Sequence, residues 1–248
     1  TQQFESIMLS SKVTNVEILE NSGVKVSIEN NGEVSESTYE KVLVAVGRKP
    51  NTDLLGVENT EIKTDKKGFI AVDVYQKTSV KNIYAIGDIS GNPMLAHKAT
   101  HEGKVAAEVC SGLSSAMDAK SIPSVVYTDP EVAWVGLTEK EAKEKDIPYE
   151  LGEFPWSASG KAMILNAVQG KTKVLFDPEN KRVLGGAVVG PSAGDIVSEI
   201  VLALEMGSDV EDLSLTVHPH PTLGETVGAA AEALEGTMTD IFNPKTKR

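Results

Sequence analysis

The amino-acid sequence predicts an α+β fold for its C-terminal half and shorter α/β-type segments before it. Two observations carry this prediction. From residue 122 onward, short apolar strands alternate with helices and tight turns, as in an α+β layer. Before that point, apolar runs end in Gly-Arg or Gly-Asp, as buried strands of an open α/β sheet do. The 248 residues, 40% of them hydrophobic, can form one large domain or two small ones.

The first 48 residues have the pattern of strands. Residues 13–18 and 23–28 alternate apolar and polar side chains with a period of two, and a polar turn follows at residues 30–33. Residues 41–46 form a continuous apolar run that Gly47 closes. This run predicts a strand buried on both faces and then a sharp exit, where a cofactor could pass.

The next segment contains a candidate ligand site. Residues 69–72 predict a short strand, and the apolar run 82–88 ends in Gly87-Asp88. In an open α/β sheet, a Gly at such a strand end permits close approach, and an Asp can accept a hydrogen bond from a sugar or polyol hydroxyl. A helix over residues 94–110 would add free N–H groups at its start. An ordinary strand, turn and helix fits this local sequence equally well.

Two histidines on that predicted helix suggest a metal site. His97 and His101 lie four residues apart beside Glu102, but Lys98 stands where the metalloprotease pattern needs a Glu, and no third ligand is evident. The sequence therefore predicts no metal. Cys110 is the only cysteine, which excludes an intrachain disulfide and a dithiol redox centre, and its Ala-rich surroundings predict a buried, inert thiol.

The C-terminal half is predicted as a mixed layer. A Thr-x-x-Glu capping box at Thr138 begins a charged helix. The strands are predicted at 125–128, 132–135, 172–176 and 183–189. The last of them is glycine-rich but lacks the spacing and the Lys of a phosphate loop, so we interpret its glycines as strand packing. Apolar helices at 196–206 and 229–234 offer a surface suited to self-association.

Residues 218–225 are the strongest candidate for catalysis. Pro219 and Pro221 fix φ on both sides of His220, so this imidazole is held by a stiff, extended segment. A neutral imidazole can take or give a proton near physiological pH, and a carboxylate on its far nitrogen would set the tautomer. Glu225 is the nearest carboxylate that could form this pair.

The same stretch also has a purely structural interpretation. Thr222 and Glu225 have the Thr-x-x-Glu spacing of a capping box that would begin a helix running to Leu234. The two histidines would then be ordinary turn residues. Local sequence alone does not choose between a capping box and a catalytic pair.

Charge and hydropathy limit the classes of partner. The formal net charge of −12 argues against nucleic acid and against an anionic membrane surface, because both need a basic face. No apolar run approaches the roughly 20 residues of a membrane span. The first residues lack the basic and then apolar pattern of a signal sequence. The sequence therefore predicts a cytoplasmic protein with small-molecule or protein partners.

Taken in order, five motifs closely resemble the C-terminal half of the dihydrolipoamide dehydrogenases, within class I of the pyridine nucleotide-disulfide oxidoreductases. They are Val-Ala-Val-Gly-Arg-Lys-Pro-Asn, Tyr-Ala-Ile-Gly-Asp, Pro-Met-Leu-Ala-His-Lys, Pro-Glu-Val-Ala-Trp-Val-Gly and His-Pro-His-Pro-Thr-Leu-Gly-Glu. The resemblance covers essentially the whole sequence. It implies the end of an NAD-binding domain at 1–48, the second part of an FAD-binding domain at 49–118, and an interface (dimerisation) domain at 119–248.

The resemblance also implies cofactor sites. Asp88 would bind the ribityl chain of FAD, and Val13 and Gly47 would contact NAD. The residues that would meet the pyrimidine side of the flavin ring are Met94, Leu95, Ala96 and His97.

A further implication concerns catalysis and partners. His220 would be the base that deprotonates dihydrolipoamide, and Glu225 would orient it. In this family the pair acts on the flavin and disulfide of the other subunit of a homodimer. A lipoylated carrier domain of a 2-oxo acid dehydrogenase complex would be the protein partner.

The sequence also departs from the family pattern. Family members begin with a G-x-G-x-x-G flavin fold, a redox-active Cys-x4-Cys and a second glycine-rich fold for NAD, and this sequence has none of them. The chain is therefore expected to be inactive alone. One alternative is a reductase of the glutathione reductase type, which usually has two adjacent carboxylates where this chain has Glu225-Thr226. The other is a non-catalytic dimerisation module.

Overall fold

The computed structural model describes residues 4–20 and 23–241. The ends of the predicted 1–48 and 119–248 segments lie outside these residues. The chain divides into two compact units, Thr1–Lys49 and Pro50–Arg248. None of the helices within the described ranges is long and apolar enough to cross a membrane.

The first unit contains an antiparallel sheet in the order β1-β2-β3. Its strands are β1 (Ser11–Ile18), β2 (Val24–Asn30) and β3 (Glu33–Tyr39). A two-residue Asn31-Gly32 turn joins β2 to β3, and both residues have the positive φ that such a hairpin requires. The predicted strands at 13–18 and 23–28 and the turn between β2 and β3 are thus confirmed.

The predicted strand at residues 41–46 is wrong. The segment has no regular secondary structure, and Leu43 and Val46 are 91% and 92% exposed. A strand needs a neighbour to complete its backbone hydrogen bonds. Among the described residues, no strand pairs with this segment, because the sheet of the first unit consists of β1 to β3 alone.

The second unit begins with irregular structure. The predicted strands at 69–72 and 82–86 are wrong as regular strands, since each takes part only in an isolated bridge, Thr64 with Ile70 and Lys77 with Tyr84. A neighbouring strand that would extend these bridges into a ladder does not occur in the described part of the chain. A single 3-10 turn follows at Gly87–Ile89.

The predicted helix at 94–110 is confirmed as α1 (Ala96–Cys110). Its last residue, Cys110, is exposed, so the prediction of a buried thiol is wrong. The buried residues of α1 are Lys98, Glu102 and Val105, and Cys110 lies beyond that face in the final turn.

The remainder of the second unit is an antiparallel sheet covered by helices, which confirms the predicted α+β fold. The strand order is β4-β5-β8-β7-β6. The strands are β4 (Ser124–Val126), β5 (Val132–Gly136), β6 (Glu150–Pro155), β7 (Lys171–Phe176) and β8 (Val183–Val189). The glycine-rich run lies in β8, as the strand interpretation predicts. Strand β6, like β3 of the first unit, is not predicted from the sequence.

Five helices accompany this sheet. They are α2 (Glu139–Glu144), α3 (Gly160–Ile164), α4 (Ala193–Met206), α5 (Val210–Ser214) and α6 (Glu225–Glu235). The predicted capping box is present at the start of α2, where Thr138 and Glu141 satisfy each other's backbone N–H groups. Helix α4 packs on β5 and β8, and α6 packs on β6 and β7.

Trp156 is the largest side chain that is completely buried in the core of this sheet. Two glycines make room for its indole. A Cβ atom would lie 2.1 Å from the ring if built on Gly170 and 2.0 Å from it if built on Gly190. Both distances are far below van der Waals contact, so the backbone at both glycines lies directly against the indole.

Candidate functional site

His220 and Glu225 form a hydrogen-bonded pair. Nδ1 of His220 lies 2.9 Å from Oε2 of Glu225. His220 belongs to the irregular segment between α5 and α6, and Glu225 is the first residue of α6. The imidazole is 76% exposed and the carboxylate 22% exposed. Within the described part of the chain, no protein group bonds to Nε2 of His220, so this nitrogen faces solvent.

Only half of the predicted capping box forms at the start of α6. The hydroxyl of Thr222 accepts a hydrogen bond from the backbone N–H of Glu225 at 3.3 Å and donates to the carbonyl of Pro219 at 2.8 Å. The reciprocal bond of a capping box would take the carboxylate of Glu225 back to the N–H of Thr222. That carboxylate bonds to His220 instead. Residues 218–225 therefore contain both the predicted His220–Glu225 pair and one of the two hydrogen bonds of the predicted capping box.

A chain of buried hydrogen bonds fixes the first turn of α6. The indole N–H of Trp156 donates to Oγ1 of Thr172 at 2.9 Å, and Oγ1 of Thr172 lies 2.8 Å from Oγ1 of Thr226. The hydroxyl of Thr226 donates to the carbonyl of Leu223 at 2.7 Å. Trp156, Thr172 and Thr226 are fully buried. This network is not predicted from the sequence, because an isolated Thr in a helix or strand gives no signal.

A cavity of about 640 Å³ lies beside the pair, and His218, His220 and Glu225 contribute to its wall. Glu232 and Asp240 also line it. Burial raises the pKa of the Glu232 carboxyl, and the nearby charge of Asp240 raises it further. Because one nitrogen of His220 is free and the cavity is open beside it, a proton donor could reach the imidazole here.

The turn that carries Asp88 is supported by a buried ion pair. Nζ of Lys98 lies 2.7 Å from Oε1 of Glu102, and both side chains are 6% exposed. Oε2 of Glu102 accepts the backbone N–H of Gly87 at 2.7 Å, and Lys98 donates to the hydroxyl of Ser90 at 3.1 Å. The pair therefore fixes both ends of the turn through hydrogen bonds to charged groups. This role of Lys98 and Glu102 is absent from the sequence-based predictions, although their i, i+4 spacing on α1 is a signal for an ion pair.

The predicted flavin residues of the second unit lie around this turn. Helix α1 packs against the Gly87–Ile89 turn, so the structure brings Asp88 close to the start of α1. Asp88 is exposed, and Leu95 caps α1 without a side-chain hydrogen bond, which leaves N–H groups of the first turn open. Met94 is partly buried, as is Leu95, whereas Ala96 and His97 are exposed.

The two residues predicted to contact NAD belong to the first unit. Val13 is 56% exposed on β1, beside a register shift between β1 and β2. Gly47 has a φ of 115° and follows the exposed 41–46 segment. Their contact with NAD stays a prediction.

A metal centre has no support in the described residues, where no three His, Cys, Asp or Glu side chains could hold an ion together. His97 is engaged elsewhere, since its Nε2 lies 2.8 Å from the carbonyl of Pro123.

Family comparisons agree with this architecture. The model for the pyridine nucleotide-disulphide oxidoreductase dimerisation domain matches residues 122–231, and the model for pyridine nucleotide-disulphide oxidoreductase matches residues 6–103. The chain belongs to the pyridine nucleotide-disulphide oxidoreductase family. The resemblance noted from the motifs is thereby confirmed. The first match includes the segment with His220 and the start of α6 with Glu225, so the described pair lies in the part of the chain that matches the dimerisation domain of this family.

Similar proteins within the family are dihydrolipoyl dehydrogenases. The one from Vibrio cholerae is 53% identical over 98% of this chain and 51% of its own length. The one from Haemophilus influenzae is 51% identical over 100% of this chain and 52% of its own length. The chain therefore spans about half the length of these curated relatives.

Two solved structures have folds similar to that of this chain. LpdA from Mycobacterium tuberculosis has a TM-score of 0.81 at 26% identity, over 90% of this chain and 48% of its own. RclA from Escherichia coli, a flavoprotein disulfide reductase, has a TM-score of 0.77 at 23% identity, over 87% of this chain and 49% of its own.

Proposed function

We propose that this chain is the C-terminal part of a dihydrolipoyl dehydrogenase. Such an enzyme oxidises protein-bound dihydrolipoamide to lipoamide and passes the electrons through a redox disulfide and FAD to NAD. The observation that carries the proposal is the 2.9 Å hydrogen bond between His220 and Glu225 beside an open cavity. The relatives from Vibrio cholerae and Haemophilus influenzae, which are dihydrolipoyl dehydrogenases, support it.

The role of the pair follows from its hydrogen bond. An ionised carboxylate can only accept, so Glu225 requires the proton of His220 to be on Nδ1. Nε2 then has the lone pair, and it can take a proton from a thiol of dihydrolipoamide. The thiolate that results is the form that attacks a disulfide. The positive charge that develops on His220 is stabilised by Glu225.

The residues around the Gly87–Ile89 turn fit FAD, which supplies a two-electron carrier between a disulfide and NAD when it is bound. The exposed carboxylate of Asp88 can accept hydrogen bonds from the ribityl hydroxyls. The open N–H groups at the start of α1 suit the electron-rich edge of the flavin ring, which Met94, Leu95, Ala96 and His97 would meet. In the first unit, Val13 and Gly47 offer NAD backbone groups and an apolar side chain.

The proposal includes the domain organisation and the partners. Residues 1–48, 49–118 and 119–248 would be the end of the NAD domain, the second part of the FAD domain and the interface domain. The active form would be a homodimer in which each His220 serves the partner's disulfide. A lipoylated carrier domain would deliver the substrate, and the cytoplasm is the proposed location.

The chain alone should not turn over dihydrolipoamide. A redox disulfide needs two cysteines, and the sequence contains one. We expect the purified chain to lack dehydrogenase activity and to sediment as a dimer. A yellow protein with activity would contradict this part of the proposal. If the purified chain is a colourless dimer, the isolated chain is a non-catalytic dimerisation module.

A chimera tests the catalytic role. In it, this chain replaces the matching half of the Vibrio cholerae relative, and NADH formation from dihydrolipoamide is measured. We expect His220→Gln to lower kcat by at least about a hundredfold, because positioned acid–base groups contribute that much. His101→Gln, an exposed histidine on α1, is the control and should keep full activity. A kcat within about tenfold of the parent for His220→Gln would refute the role of His220.

A further inference from the structure

A second histidine–glutamate pair lies next to the first. Nε2 of His218 lies 2.6 Å from Oε1 of Glu199, and Nδ1 lies 2.9 Å from the carbonyl oxygen of Thr216. A carbonyl oxygen and a carboxylate oxygen are both acceptors. Each nitrogen of His218 is therefore engaged in a hydrogen bond, and neither has a free lone pair that could act as a base.

His218 and His220 consequently differ in what they can do. His220 has one engaged nitrogen and its side chain is 76% exposed, whereas both nitrogens of His218 are engaged and its side chain is 13% exposed. The two residues are separated only by Pro219, whose ring fixes its φ. The backbone position of His220 therefore depends closely on where His218 is held.

His218 connects two helices. Glu199 lies on α4, which is anchored by the buried side chains of Ile196, Val197 and Ile200. On the other side, the ring lies against Gly228 of α6, where an added Cβ would be 2.8 Å from Cε1 of the imidazole. The ring therefore lies between the carboxylate of α4 and the backbone of α6, the helix that carries Glu225.

We propose that His218 is a positioning residue, and that its bonds to Glu199 and to the Thr216 carbonyl hold the 215–224 segment where His220 meets Glu225. The proposal deepens the proposed function, on which its catalytic consequence rests. The geometric part does not depend on the reaction. If Glu199 or His218 cannot make this bond, His220 loses its fixed distance to Glu225 and its preferred tautomer.

NMR of the imidazole nitrogens in the 248-residue chain tests the geometric part. The sequence has four histidines, so the ring ¹⁵N signals can be assigned individually. At about pH 8, where an ordinary imidazole is neutral, a bonded His220 should show unequal Nδ1 and Nε2 shifts. We expect Glu199→Leu, which can neither donate nor accept a hydrogen bond, to move them toward the averaged values of the exposed His101. Glu205→Gln, on the same helix but away from His218, should leave them unchanged.

The NMR measurement can contradict the positioning role of His218 in two variants. If Glu199→Leu keeps the amide spectrum of the parent and His220 keeps its unequal shifts, the positioning role is wrong. If Glu199→Leu does not fold, the same measurement on His218→Phe, which keeps a ring but has no nitrogen, gives the answer by the same criterion. Equal shifts in the parent chain would instead refute the His220–Glu225 pair, and with it the proposed function.

Kinetics of the chimera test the catalytic consequence. We expect Glu199→Leu to lower kcat by about ten- to a hundredfold with little change in KM, since a small misplacement of a catalytic group costs that much. If Glu199 acts only through His220, the loss should disappear in the His220→Gln background. Fully additive losses would overturn the positioning role even if His220 is the base.

Discussion

The hydroxyl oxygens of Thr172 on β7 and Thr226 on α6 lie 2.8 Å apart, and both side chains are fully buried. The direction of this bond can be derived. The carbonyl of Leu223 only accepts, so the proton of Thr226 must go there, and Thr226 must accept the proton of Thr172. Trp156 completes the series by donating to Thr172. The first turn of α6, with Glu225 in it, is thereby tied to the sheet.

Replacing Thr226 by Val should destabilise the fold. Val has nearly the shape of Thr, so the change leaves the hydroxyl proton of Thr172 without its acceptor in a dry site, and the Leu223 carbonyl keeps only the backbone N–H of Thr226 as a donor. We expect the free energy of unfolding to fall by about 1–3 kcal/mol, measured by urea denaturation. Thr100→Val, an exposed position on α1, is the matched control and should stay within about 0.5 kcal/mol of the parent. Equal effects of the two changes would contradict the network.

Replacing Lys98 by Met should strongly destabilise the Gly87–Ile89 turn. The change leaves the carboxylate of Glu102 buried without its counter-charge, at a cost of about 3–5 kcal/mol. Hydrogen exchange of the Gly87 amide, which donates to Glu102, should report the opening directly.

Two further variants control for this change. Lys140→Met removes another i, i+4 partner, that of Glu144, but this pair is exposed and 3.8 Å apart, so the effect should be below about 0.5 kcal/mol. The double variant Lys98→Met/Glu102→Leu should recover part of the loss, because no unpaired charge remains. If the Gly87 amide exchanges its hydrogen as slowly in the Lys98→Met variant as in the parent, the ion pair does not support the turn.

Adding a methyl group at Gly228 should displace His218. The Cβ would lie 2.8 Å from the imidazole, which is too close, so the 215–224 segment must move. We expect Gly228→Ala to lower stability by about 1–3 kcal/mol. Gly160→Ala is the control, since a Cβ there meets no atom within 4 Å and Ala favours the helix. A Gly228→Ala variant as stable as Gly160→Ala would show that the ring is not packed on α6.

The charged cluster at Lys173 should make stability depend on pH. A hydrogen bond from Lys173 holds the pKa of Glu139 below its usual range, and the same bond raises the pKa of Lys173. The carboxylate therefore stabilises the fold above its ordinary pKa, and this contribution disappears as the pH falls through the lower folded-state pKa. The contribution of Lys173 is present below its ordinary pKa and disappears as the pH rises through the raised one.

Lys173→Met tests this dependence. We expect at most about 1 kcal/mol of lost stability at pH 7, because the cluster is partly solvated. The difference from the parent should shrink as the pH is lowered from 5 to about 3, because the carboxylates of the unfolded chain take up protons in this range before the paired carboxylate of the folded chain does. Urea denaturation across this range measures it. If the difference in the free energy of unfolding between Lys173→Met and the parent stays constant down to about pH 3, the ion pair is not the cause of that difference.

Local signals in the sequence were enough for the elements that local chemistry determines. The turn at Asn31-Gly32 follows from residues that accept positive φ, and the start of α2 follows from its capping box. The apolar runs at 41–46 and 82–86 were different. Their composition indicates that they would be buried, but it does not supply the neighbouring strand on which a ladder depends.

The site was predicted in part. The local sequence around His220 and Glu225 indicated both a catalytic pair and a capping box. Only the structure shows that the carboxylate bonds to the imidazole. The Thr172–Thr226 contact joins residues 54 positions apart, and His218 and Glu199 are 19 apart. Such pairs depend on how β7, α4 and α6 pack. Neither a helical nor a strand period in the sequence encodes them.

Trp156 and its two flanking glycines have a consequence for how this family can diverge. The indole occupies the volume that side chains at Gly170 and Gly190 would fill, so neither glycine can take a side chain while Trp156 is present. A smaller residue at position 156 would not by itself admit one, because a Cβ at Gly170 would also lie 2.8 Å from the carbonyl oxygen of Val189 and Gly190 has a φ of 148°. The three positions should therefore be inherited together. A recombinant of two distant homologues should fail to fold when its crossover point separates these positions.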